Sequence, residues 1–69
     1  MFYDQFISVC NKFGASPSRV LLDIGMSKST LTNWKAGGAP FNETKKKIAD
    51  YFGITIPELM SGKVDAKIP

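Results

Sequence analysis

The chain contains no histidine, and Cys10 is its only cysteine among 69 residues. Without imidazole it lacks the commonest general base, a principal zinc ligand and the usual activator of a serine or cysteine nucleophile. The sequence therefore points away from an enzyme, a metal centre or a cofactor site, and no small-molecule ligand is expected. One cysteine cannot close an internal disulfide. Its place in an apolar helical pattern reads as a buried thiol in a reducing compartment, and the rival reading, a reactive thiol, has no histidine to support it. No apolar run approaches the ~20 residues of a membrane span. The opening "MFYDQF" has neither the basic start nor the long apolar stretch of a signal peptide, so a cytoplasmic protein without a membrane partner is expected. Strand patterns are scarce too. Only "GITIP" alternates like β structure, and its Pro57 and brevity argue against a sheet.

What the chain does have is apolar material for one small core: 43% of its residues are hydrophobic, including five Phe, one Trp and two Tyr. A chain of this size removes only roughly 60% of its unfolded surface from water on folding. Nine Lys and Arg against six Asp and Glu leave a net charge of +3, a mild bias toward anionic partners.

The glycines act as punctuation. Gly14, Gly25, the pair Gly37 and Gly38, Gly53 and Gly62 each come directly after an apolar-periodic segment, as residues that close helices do. They predict an all-α domain of five helices over residues 1–62, then a frayed polar tail, 63–69. The first helix, from Phe2 to about Phe13, aligns Phe2, Phe6, Val9, Cys10 and Phe13 on one face. The second opens at "SPSR" with Ser16 as cap and Pro17 in the first turn, and turns Val20, Leu21 and Ile24 inward. The third is expected from Lys28 to Ala36 with Ser27 as its cap, burying Leu31 and Trp34. The fourth begins with Asn42 as cap and Glu43 in the first turn, and buries Ile48, Ala49 and Phe52. The fifth opens on a capping box, Thr55 with Glu58, with Pro57 inside it and Leu59 and Met60 behind.

Between the second and third helices "GMS" makes a tight corner. Gly25 turns the chain, Met26 plugs the corner and Ser27 caps the third helix, so the two helices cross steeply as a helix-turn-helix. Leu31 and Trp34, three residues apart, anchor the second helix of this pair. Lys28, Ser29, Thr32 and Asn33 then fall on its outer side, where their donors and acceptors suit base edges and phosphates. No acidic residue lies between Ser27 and Asn42, whereas Lys28 and Lys35 do. That distribution favours DNA over the rival partner class, a protein bound by a helical adaptor or antitoxin of the same fold.

The segment "SPSRVLLDIGMSKSTLTNWKAG", together with "TKKKIADYFGITIPELM", resembles the Cro and repressor type (XRE-like) of phage and bacterial helix-turn-helix regulators. The resemblance runs from Phe2 to Leu59. It implies a five-helix, lambda-repressor-like DNA-binding domain whose third helix docks in the major groove, usually as a symmetric homodimer on a pseudo-palindromic operator. The simplest such protein is a small Cro-like phage or prophage repressor that regulates transcription. Three positions depart from the family pattern: Leu21 replaces a small Ala, Pro17 a frequent Gln and Lys35 a common Glu.

On this reading Lys28, Ser29, Thr32 and Asn33 read bases, while Ser16, Ser18, Lys35, Asn42 and Lys45 grip phosphates. Within "KKK" Lys45 is the best placed, near the helix start. Lys46 pairs with Asp50 at i,i+4, and the amides at the Asn42 cap offer a further phosphate seat. Trp34 is a core residue rather than a stacking platform. Phe41 either covers Trp34 as core or joins Ile54, Ile56 and Met60 at a dimer interface.

Overall fold

The computed structural model describes residues 1–62, and all regular structure among them is helical. The order is α1 (Phe2–Lys12), α2 (Pro17–Asp23), α3 (Ser29–Lys35), α4 (Asn42–Phe52) and α5 (Ile56–Ser61). The tail expected over 63–69 lies outside the described residues. No helix among them is long and apolar enough to cross a membrane.

Helix α1 is the hub, packing against α2, α3 and α5, while α2 also packs on α3 and α4 on α5. Its predicted apolar face supplies Phe2, Phe6, Val9 and Cys10 to the core, where they meet Val20, Leu21, Trp34, Ile48 and Leu59. Trp34 stands edge-on to Phe2 and Phe6, with ring centroids 5.0 and 5.3 Å away. Phe13 and Phe52 stack at 4.9 Å beside this centre. Four residues expected inside are only half-buried against the core: Phe13, Ile24, Leu31 and Phe52. Helices of two or three turns leave their flanking apolar positions at the rim, because so small a core has room for only one row from each.

Cys10 is fully buried, and burial pushes its thiol from the ordinary 9.0 up to about 12. The unfolded chain therefore ionises first. Below pH 9 both states hold the proton; between about 9 and 12 the unfolded state binds fewer protons, so stability falls as pH rises. The native protein is expected to resist thiol reagents that label it fully in urea, and its urea midpoint to fall above pH 9. Rapid labelling of the native protein contradicts this.

The helix ends differ from expectation in instructive ways. The capping box of α5 forms as predicted: the Thr55 hydroxyl accepts from the Glu58 amide at 3.3 Å and Glu58 Oε1 accepts from the Thr55 amide at 3.0 Å. Ser16 occupies the cap position of α2, but its side chain makes no capping bond. Pro17, which has no N–H, already leaves one fewer donor to satisfy. Asn42 is not the cap of α4 but its first helical residue; Phe41 holds the cap position in extended conformation.

Ser27 does not cap α3 either. Its hydroxyl pairs with that of Ser29 at 2.7 Å. The chain enters α3 through tight three-residue bonds, from the Thr30 amide to the Ser27 carbonyl at 3.2 Å and from the Leu31 amide to the Lys28 carbonyl at 3.1 Å. The helix accordingly starts at Ser29 and ends at Lys35, one residue inside the expected bounds at each end, with Lys28 in the entering turn.

Two glycines are required by the backbone around α3. Gly25, at φ +84°, lets the Met26 amide reach the Leu21 carbonyl at 2.8 Å and the Gly25 amide reach Leu22 at 3.1 Å, which closes α2 and makes the corner. Gly38 lies so close to α3 that a Cβ would sit 2.9 Å from the Asn33 carbonyl oxygen.

Candidate nucleic-acid interface

Helix α3 presents one buried residue and an open polar face. Trp34 is 4% exposed and is the only buried side chain of the helix. With Leu31 half-buried beside it, these two residues, three apart, pin α3 to α1 and α2. Thr30 is half-buried as well, and positions 28, 29, 32, 33 and 35 are exposed. Lys28, Thr32, Asn33 and Lys35 make no side-chain hydrogen bond or ion pair among the described residues, and Ser29 contacts only Ser27. A row of exposed donors and acceptors with no internal partner is chemically able to bind an external polar ligand. Lys35 also lies in the last turn of α3, where a cation complements the helix dipole.

The expected phosphate contacts fall on three elements. Ser16 is exposed just before α2, and Ser18 is half-buried in its first turn. Asn42 is exposed at the start of α4, whereas Lys45 is half-buried one turn later. Lys46 and Lys47 are the open members of the run. The expected Lys46–Asp50 pair does not form, as is usual for exposed charges that gain little by fixing two flexible chains.

The structure does not pack α4 closely on α2 or α3, so the candidates on these helices share no tight cluster. A loop of six residues, 36–41, joins the end of α3 to the start of α4. Phe41 in that loop is 87% exposed, which overturns its reading as a cover for Trp34. Of the other interface candidates, Ile54 and Met60 pack against the core. Ile56 is half-buried outside that cluster.

One set of charged residues went unrecognised in the sequence. Arg19 Nε lies 3.1 Å from Asp23 Oδ1, and the Tyr51 hydroxyl donates to Asp23 Oδ2 at 2.7 Å. This bond raises the tyrosine's pKa above its usual value. The i,i+4 spacing of Arg19 and Asp23 was a legible signal. Tyr51 gave none, because it stands 28 residues from its acceptor.

Comparison with family models, curated proteins and solved structures finds no match to the chain.

Proposed function

We propose that the protein is a sequence-specific, double-stranded-DNA-binding transcriptional regulator of the Cro/repressor type, with α2 and α3 as its helix-turn-helix. The observation that supports this best is the division of α3. Trp34 anchors one side, and Lys28, Thr32 and Asn33 stand exposed without internal partners, beside an exposed Ser29 whose hydroxyl bonds only that of Ser27, in a segment free of carboxylates. Polar groups of this kind on a short, firmly anchored helix suit base edges, and the flanking lysines suit phosphates. A homodimer would read two inverted half-sites about one helical turn, roughly 34 Å, apart. Phe41, the most open aromatic, is its leading interface residue.

The test is selection of sites from random duplex DNA, then titration of the recovered duplex at several salt concentrations. If Lys35 and Lys45 of both copies each neutralise a phosphate, about four contacts imply a loss of roughly 10² in affinity between ~50 and ~200 mM salt. An inverted repeat is expected among the sites; a single unrepeated motif removes the dimer. Absent binding, or binding indifferent to salt, removes the DNA reading and favours a protein partner.

A further inference from the structure

The Arg19–Asp23–Tyr51 set lies outside the recognition face, yet it is the one side-chain hydrogen-bonded link between α4 and the α2–α3 pair among the described residues. The closest helix packing runs from α2 and α3 to α1, from α1 to α5 and from α5 to α4. Helix α4 is therefore tied to α2 through two intermediaries, apart from the core side chains and this bond. Asp23 is also an unexpected residue for its position. As the last residue of α2 it puts a negative charge at the negative end of the helix dipole, a placement disfavoured in itself. Both carboxylate oxygens are engaged, Oδ1 by Arg19 and Oδ2 by Tyr51.

The position of the link matters more than its strength. Asp23 ends α2, and Tyr51 is the last residue but one of α4. The phosphate candidates, Ser16 just before α2, Ser18 on α2 and Asn42 and Lys45 on α4, lie at the opposite, N-terminal ends. At 1.5 Å rise per residue, the levers from link to candidate are about 8–14 Å, so a change of about 10° in the angle between the helices moves the far ends by about 1–2 Å. A hydrogen bond to a phosphate oxygen does not survive that displacement.

We propose that Tyr51, through its hydrogen bond to Asp23, is a positioning residue that sets the spacing between the phosphate contacts of α2 and those of α4. The proposal rests on the DNA-binding reading. Tyr51 itself touches no DNA; it acts through the angle of α4.

The test compares the parent protein with Tyr51→Phe, Lys45→Ala and the double variant, each titrated with the selected duplex across a range of salt, with thermal melts monitored by circular dichroism. Tyr51→Phe removes one hydroxyl from a side chain already 43% exposed, so the variant folds. Its affinity is expected to fall by roughly three- to tenfold at low salt, and its salt slope to shrink by about one per bound copy, the value of one phosphate contact. The double variant should have the salt slope of Lys45→Ala alone, because Lys45 is the cationic contact of α4 that the hydroxyl positions. A purely structural role lowers the melting temperature and leaves the slope unchanged. A parent that binds with a steep slope, and a Tyr51→Phe variant with the same slope, overturns the positioning role and leaves the DNA reading standing. Additive loss of slope in the double variant also overturns it. A parent that does not bind duplex overturns both.

Discussion

Trp34→Ala is expected to lose about 3–5 kcal/mol of folding free energy, the range for truncating a large buried aromatic. That loss is comparable to the whole stability of a small domain, which lies on the order of 5 kcal/mol. The indole is 4% exposed and meets Phe2 and Phe6 edge-on, so alanine removes two aromatic contacts and leaves a cavity where α3 docks on α1. No other residue of α3 is buried, and only the half-buried Leu31 remains to hold that helix. Urea titration monitored by circular dichroism checks this, and a variant with the parent's midpoint would show that α3 is held by something other than Trp34. Lys47→Ala is the matching control. Its side chain is exposed and belongs to no candidate contact, so its removal should leave the midpoint unchanged.

The second large effect separates reading from gripping. Lys28→Ala or Thr32→Ala should cost roughly 1–3 kcal/mol on the selected duplex and little on random DNA, because each side chain stands on the open face of the anchored helix. Lys28, in the turn that enters α3, and Thr32, one turn further on, have no competing partner within the protein. Lys45→Ala should weaken both duplexes about equally and reduce the salt slope by about one per bound copy, as a phosphate contact does. Isotherms of the parent and the three variants on both duplexes separate the two roles. Full discrimination between duplexes retained by the folded Lys28 and Thr32 variants would mean that this face is merely solvated. Unequal losses for Lys45→Ala would mean that it reads bases.

Much of the architecture arises from local chemistry and was legible in the residues. Gly14, Gly25, Gly37 and Gly53 adopt positive φ directly after helices, and in each case the next residue's amide bonds back to a carbonyl five residues earlier, at 2.8–2.9 Å. Such an ending depends on a few neighbouring residues, so the pattern of glycines carries it. The capping box of Thr55 and Glu58 is equally local. The apolar faces of α1 and α4 arise from their helical period, and Trp34 could be assigned to the core because it lies three residues from Leu31. Cap positions at Ser16, Ser27 and Asn42 were less secure. A short polar side chain has several acceptors and donors within reach, and the choice among them depends on small differences in backbone direction.

For the candidate interface, the sequence by itself determined which residue types are present and that carboxylates are absent between Ser27 and Asn42. Periodicity gave the outward side of α3, since one anchored face fixes the opposite one. Tertiary structure alone decided how much of each side chain is covered: Leu31 shares the rim, Lys45 is half-buried, Ile54 and Met60 join the core, and Phe41 lies open. It alone brought Tyr51 to Asp23 across 28 residues, and it left Lys46 and Asp50 apart despite their helical spacing. The physical reason is the range of the interactions. Turns, caps and helical faces are set by neighbours within about five residues along the chain. Burial and long-range hydrogen bonds depend on how whole helices meet, and in a core this small a modest rotation of one helix decides which flanking residue is inside.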